Sequence, residues 1–408
     1  LWTIYLSDLI FPPCRDDIRL SGVPIRSLEQ ADDIILLSTS PEGLQRKMTA
    51  FFVWCAANAM MVNAIKSAVL IFGTRRPALP PFLFGCNPVE IKTEQTYVGI
   101  CIRSDSRDIF SNHYTTKSAK ATIVGNMVLG LHKMLGSLDP WDARKLYMGL
   151  VDPHLTHGCE IIIDTGPSAK SLALLERVFN YLLRRFLGLH ARSSVSVLSS
   201  ETGIIPLRYR RVFIALAFLL YLLRLPEHHY AKLAFRDSVD LLASGKSGWL
   251  SDLLHSLQSL PHPVHVPDPL NINEDVVLGI RERVQSSMVS FITEDIHRIS
   301  SLYLLKDRLE PNERRGSPPT VVPIKFRHYL SMVSYRKHRV ALTKILTGCH
   351  ELAVERLKWA KNDLGENLKI DRPQRLCRFC KASPESPEHA LLECNASPSL
   401  VLIRREFW

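Results

Sequence analysis

Four residues near the end of the chain, Cys377, Cys380, His389 and Cys394, stand at the spacing C-x2-C-x8-H-x4-C and tie eighteen residues to one point. A C-x2-C element lets two thiolates converge on one ion, and a histidine and a third cysteine complete a closed tetrahedral Zn2+ site. Ser386-Pro387 reads as the start of a short helix carrying His389. Five residues on, Cys394 would lie about 140° around an ordinary α-helix, so it belongs at or past the helix end. The alternative is a small core with reduced thiols. The other six cysteines (Cys14, Cys55, Cys86, Cys101, Cys159, Cys349) are scattered singly. That pattern argues against a disulfide framework and for a reducing compartment.

The finger segment, residues 371–408, holds six Lys/Arg and five Asp/Glu, so it has no strong basic signature. Arg375, Arg378 and Phe379 are its candidates for nucleic-acid contact, and a purely structural staple is the other reading. The charge of +11 lies elsewhere. From Lys170 to Arg236 there are eleven Lys/Arg against three acids. One helical region thus holds most of the excess, as a surface gripping an anionic polymer would, or as the solvated faces of helices would.

With 408 residues, 46% apolar and 22% charged, the chain has enough for two to three domains with real cores, which excludes a disordered protein. The longest apolar run, Val212–Leu223, would make about 18 Å of helix, short of a bilayer span. The fold class expected is α+β. Gly22–Glu29 and Asp33–Thr39 read as strands meeting at Gln30-Ala31-Asp32, a hairpin with acids at its turn. Ser40-Pro41 reads as an N-cap followed by proline at the first helical position. Leu44, Met48, Phe51, Phe52 and Cys55 then share a helix face. Ala68–Phe72 reads as a strand, Pro77, Pro80, Pro81 and Pro88 as marks of a loop, and Thr96–Ile102 as one short strand. From about His113 to Leu260 the pattern is mainly helical, clearest at Ser171–Leu187. Pro261–Pro269 and Pro311–Pro323 read as linkers. The organisation expected is 1–105, 106–260, 261–370 and 371–408.

Asp32 and Asp33 precede four aliphatic residues. On a regular strand neighbours point to opposite faces, but at a turn one carboxylate can face a cleft while the other supports it. Oxygen ligands of this kind suit Mg2+, which takes one or two carboxylates plus waters and phosphates. A solvated turn is the plain alternative.

The ordered series QADDIILL, SPEGLQRKM…FFVWC, MMVNAIKSAVLIFG and TYVGICI, spanning Leu28–Ile102, resembles the reverse transcriptases of non-LTR retrotransposons, particularly the fungal forms. The resemblance implies a partial polymerase palm, then a helical thumb and connector, then a CCHC finger. It makes Asp32 a Mg2+ ligand and Asp33 its companion. Lys66, with Asn63, matches the lysine proposed to protonate the leaving pyrophosphate, although an ordinary strand-edge lysine fits too. Tyr97-Val98-Gly99 matches the primer grip. Gln30 stands where most of the family has Tyr or Phe, so a stacking ring is lost.

The family's other indispensable aspartate lies on a strand well upstream of the acid pair. LWTIYLSDLIF, at the start of this sequence, resembles the helix after the Ser-Pro segment that follows it. The resemblance therefore implies a C-terminal fragment, inactive alone. It continues through DPHLTHGCE (152–160), LLRRFLGL and ETGIIPLRYRR, where basic helices would track a template–primer backbone. Arg184, Arg185, Arg208, Arg210 and Arg211 are the candidates. The partners implied are an RNA template and a DNA primer or target, the compartment is the nucleus, and no membrane is involved. The reaction implied for the intact enzyme is Mg2+-dependent extension of a DNA 3′-hydroxyl on RNA. The alternative is a non-catalytic nucleic-acid-binding protein with a decayed polymerase site and a zinc finger.

Overall fold

The computed structural model describes residues 2–73, 79–136, 138–165, 169–311, 318–363 and 365–407. The fold is mixed α+β, with 52% helix and 11% strand. In chain order its elements begin with α1 (Trp2–Tyr5), β1 (Ile18–Leu20), β2 (Val23–Ile25), β3 (Ser27–Gln30), β4 (Asp33–Leu36) and α2 (Pro41–Ala57). Next come β5 (Ala68–Leu70), β6 (Phe82–Phe84), β7 (Asn87–Lys92), β8 (Glu94–Tyr97) and β9 (Ile100–Arg103). The helices α3 (Ser111–Met134), α4 (Pro140–Leu146), α5 (Asp152–Thr156), α6 (Ala169–Leu187), α7 (Ser196–Thr202), α8 (Leu207–Arg224), α9 (Tyr230–Ala243), α10 (Trp249–Gln258) and α11 (Glu274–Arg298) follow. Short strands β10 (Leu309–Glu310) and β11 (Thr320–Val321) precede α12 (Tyr329–Met332), α13 (Arg336–Leu346), α14 (Ala353–Arg356) and α15 (Pro398–Phe407). Among the described residues no helix is long and apolar enough to cross a membrane.

The chain forms two compact units, each drawn from three stretches. One comprises residues 1–120, 154–176 and 208–284; the other comprises 121–153, 177–207 and 285–408. The stretches 106–260 and 261–370, read as separate pieces in sequence, each contribute to both.

In the first unit β3 and β4 pair antiparallel from Ser27↔Leu36 to Gln30↔Asp33, with Ala31-Asp32 as the turn. Ala31 adopts φ +52°, a left-handed conformation uncommon for a non-glycine residue, which a two-residue hairpin turn imposes. The Ser40 hydroxyl accepts the Gly43 N–H at 3.0 Å, and Pro41 opens α2 as its sequence predicts. The α2 face then packs on the three-stranded sheet β5-β7-β6, burying Met48 against Val69, Phe82, Phe84 and Val89. Each such side chain contributes about 1.5–3 kcal/mol of transfer free energy.

Two expectations change here. Pro80, Pro81 and Pro88 do not mark one long loop, because β6 and β7 lie there; Pro77 falls outside the described residues. Pro88 is tolerated because β7 pairs only with β6 at that position, and pairing with β5 begins at Glu90. Nor is Thr96–Ile102 one strand. It folds into the β8–β9 hairpin, with Tyr97 opposite Ile100. Val98 and Gly99 form its turn, both at positive φ (+47° and +77°), the geometry that matches strand twist.

The second unit is mainly helical. Tyr147, completely buried, meets Phe179 and Phe186 of α6 edge-on, each at 6.2 Å between ring centres. Helix α7 is buried along its whole length. Its Glu201 is fully buried and paired with Arg308 at 2.6 Å. Arg327, also buried, donates to the Ser200 carbonyl and pairs with Glu310. The chain leaves α7 through Gly203, at φ +66°, where a β-carbon would stand 2.5 Å from the Phe326 backbone nitrogen. Among residues of the expected 311–323 linker, 312–317 lie outside the described residues.

Candidate functional site

The four residues at the end of the chain come together. The sulfurs of Cys377, Cys380 and Cys394 and a ring nitrogen of His389 lie within 4.8 Å of one another. Zn–S bonds of about 2.3 Å around a tetrahedral ion set sulfurs about 3.8 Å apart. Cys377 Sγ and Cys394 Sγ stand 3.8 Å apart, and Cys380 Sγ stands 3.3 Å from His389 Nε2. This group can hold a metal ion such as zinc.

Local structure explains the convergence. The Cys377 N–H bonds the Ser383 carbonyl and Lys381 N–H returns to the Cys377 carbonyl, closing the C-x2-C turn. Lys381 takes φ +58° to allow it. The Ser386 hydroxyl caps the helical turn that follows by accepting the His389 N–H at 3.1 Å. From His389 to Glu393 that turn is a π-helix, closed by the Cys394 N–H on the His389 carbonyl at 2.8 Å. An i→i+5 turn stacks Cys394 over His389, where an α-helix would have carried it past. Backbone N–H groups of Ala382 and Ser383 hold the Cys380 thiol down to about 6, so it is largely thiolate at neutral pH. Burial pushes the Cys377 thiol up.

The finger is fastened to the rest of its unit. Glu385, completely buried, accepts the Ala353 N–H at 2.6 Å and pairs with Arg378 at 2.5 Å. Arg378 also donates to the Glu351 carbonyl, and Arg375 to the carbonyls of Ile370 and Val354. Tyr303 donates its hydroxyl to Glu388 at 2.7 Å. The two arginines read as nucleic-acid contacts are thus engaged in holding the finger. Phe379 is exposed.

In the first unit Asp32 and Asp33 both lie exposed at the β3–β4 turn, with Gln30 exposed beside them. Among the described residues no group of three or more metal-ligating side chains forms around the pair. What anchors the hairpin is Asp17, which the sequence did not single out. Its buried carboxylate pairs with Lys47 of α2 at 2.8 Å and Arg26 at 2.9 Å, and accepts the Cys14 N–H. Lys47 also donates to the Leu37 carbonyl, just past β4. Burial alone would raise the Asp17 carboxyl, yet Lys47, the Cys14 N–H and Arg26 draw it down to about 2. In sequence it is only the second of two adjacent acids, Asp16 and Asp17, directly before β1.

The charge of the β3–β4 hairpin reaches the β8–β9 hairpin. Burial, then the charges of Asp33 and Glu29, raises the Tyr97 phenol. Asn63 caps the turn before β5, its side-chain oxygen accepting the Lys66 N–H at 3.1 Å. The Lys66 side chain is exposed, and no described interaction joins it to either aspartate.

The basic candidates separate. Arg211 is 3% exposed and turned inward. It pairs with Asp164 at 2.7 Å, donates to the Leu155 carbonyl at 2.9 Å and lies over the Tyr114 ring. It therefore offers no surface contact, because desolvation is compensated only inside that network. Arg208 pairs with Glu176 at 3.5 Å. Arg210 is half-buried. Arg184 is half-buried and holds the 190–193 loop through Ser193, while Arg185 is exposed. Comparison with models of known protein families finds no match to this chain, and comparison with curated proteins finds none either.

Proposed function

We propose that the chain is part of an RNA-directed DNA polymerase of the non-LTR retrotransposon kind. In this reading it contributes a carboxylate hairpin, a nucleic-acid-binding helical body and a C-terminal zinc finger. The observation that carries this reading is the β3–β4 hairpin, which sets two exposed carboxylates at its turn. The Asp-Asp turn and the Tyr97-Val98-Gly99 turn, far apart in sequence, come close enough for Asp33 to act on the Tyr97 phenol. A polymerase needs a metal-binding carboxylate beside the element that holds the primer end.

Asp32 and Asp33 are the residues that would hold Mg2+, and their exposed oxygens suit a hard cation that keeps waters and phosphate oxygens. When bound, the ion would neutralise phosphate charge. Lys66 would serve only if brought to the leaving phosphate. Two-metal transfer needs more carboxylate than these two groups offer. The chain by itself is therefore expected to bind template–primer without extending it.

Primer extension on RNA, comparing the chain with Asp32→Asn, tests this together with binding of a labelled RNA–DNA hybrid by anisotropy. Salt-dependent hybrid binding without synthesis is the expected result. Synthesis that Asp32→Asn abolishes would establish the polymerase and overturn the expected inactivity. Absence of hybrid binding would remove both the polymerase reading and the non-catalytic nucleic-acid-binding one. The latter is favoured by the lack of further ligands around the acid pair among the described residues.

A further inference from the structure

Beside the Val98-Gly99 turn, the first unit gathers two lysines and three histidines. Helix α3 contributes His113, Lys117 and Lys120, and the segment 152–160 contributes His154 and His157. Lys117 is 8% exposed. Among the described residues it forms no ion pair; Lys120 acts on its charge, and His113, His154 and His157 feel it. Buried ammonium groups are ordinarily paired, because desolvation without a counter-charge costs several kcal/mol. Burial, then Lys120, lowers its pKa, as an unbalanced cation requires.

His157 adds a second, independent sign. Its Nε2 is buried and has no hydrogen-bond partner. The neighbouring ring is fully engaged, since His113 accepts the Cys101 N–H on Nδ1 at 3.4 Å and meets the His157 carbonyl through Nε2 at 3.1 Å. That pairing fixes His113 as a neutral support, stacked 5.7 Å from the His157 ring. Burial and Lys117 disfavour charge on His157; Glu160 and the Val98 and Gly99 carbonyls favour it. Both groups lie against the Gly99 turn. A β-carbon built on Gly99 would stand 2.9 Å from His157 Nε2 and 3.8 Å from Lys117 Nζ.

We propose that Lys117 and His157, with Lys120 and His154 around them, form a binding site for a phosphate group beside the Gly99 turn. An ammonium and a protonated imidazole supply donors, and an oxyanion supplies the missing charge and acceptors. A side chain at Gly99 would collide with His157, so the backbone's close approach to these groups requires glycine. If the nucleic-acid reading above holds, the occupant is a backbone phosphate; the same chemistry would take free phosphate.

The test uses the whole chain, Lys117→Met and Gly99→Ala, with inorganic phosphate at matched ionic strength and a short single-stranded oligonucleotide as probes. Thermal midpoints and the His157 ring NMR signal are read. Phosphate is expected to raise the wild-type midpoint and move the His157 signal saturably. Lys117→Met is expected to melt higher than wild type without phosphate and to gain nothing from it. Oligonucleotide binding should weaken on the order of tenfold in that variant. Gly99→Ala should lose the phosphate response with Lys117 intact. No phosphate response in wild type, or an equal one in Lys117→Met, overturns the site. A phosphate response with no oligonucleotide binding by wild type keeps the site, assigns it to free phosphate and removes the nucleic-acid reading. Equal oligonucleotide binding by wild type and Lys117→Met, with the phosphate response lost only in the variant, also assigns it to free phosphate.

Discussion

Lys47 Nζ stands 2.8 Å from Asp17 Oδ1, with the two side chains 3% and 2% exposed. The folded carboxyl titrates at about 2 against an ordinary 3.8. A depressed acid stabilises the fold fully above its unfolded value and loses that contribution as pH falls through its folded one. Stability should therefore fall by about 2 kcal/mol between about pH 4 and pH 2. Urea midpoints across that range, with Asp17→Asn showing a smaller fall, check it. Lys47→Met should cost about 3–5 kcal/mol, since it leaves a buried carboxylate short of its closest partner.

Zinc should bind at one ion per chain, with the ratio falling to none in Cys377→Ser. Because Glu385 binds the Ala353 N–H from within the finger, chelation should speed hydrogen exchange at Ala353. Mass-spectrometric exchange with and without chelator reads this directly. Unchanged exchange at Ala353 would mean that the finger's attachment survives without its ion.

Gly203 and Gly245 share nearly the same backbone angle, φ +66° and +68°, but only Gly203 has backbone atoms within reach of an added carbon. Alanine at Gly245 should cost about 1–2 kcal/mol from conformation alone. At Gly203 the cost should exceed that, because the Phe326 backbone must also move. Thermal denaturation of the two variants separates strain from collision.

Arg185→Gln should weaken hybrid binding and reduce the salt slope by about 1 if Arg185 meets a phosphate. Arg211→Met should act on folding instead, by stranding the buried Asp164. Anisotropy titrations at several salt concentrations, beside denaturation curves, distinguish the two effects.

The Asp-Asp hairpin, the Ser40 cap and the clustering of Cys377, Cys380, His389 and Cys394 were legible because each depends on residues close in sequence. The β8–β9 turn was not. Val98 is β-branched, a strand former by preference, and nothing local announces that it adopts positive φ. Asp17 and Arg211 failed for another reason. Their partners, Lys47 and Asp164, lie 30 and 47 positions away, and a charge count cannot tell an inward arginine from an outward one. The same blindness hid Lys117, whose interest lies in having no carboxylate partner among the described residues.

The wide turn from His389 to Cys394 also says how the finger could change length. One residue is absorbed in that turn as a bulge, while the ligands at its ends stay stacked. Deleting a single residue between them would let an ordinary helical turn bring the same two atoms together, four positions apart instead of five. Chains with three or four residues in that interval should therefore be interchangeable as metal clasps, and spacing alone would misjudge them as different.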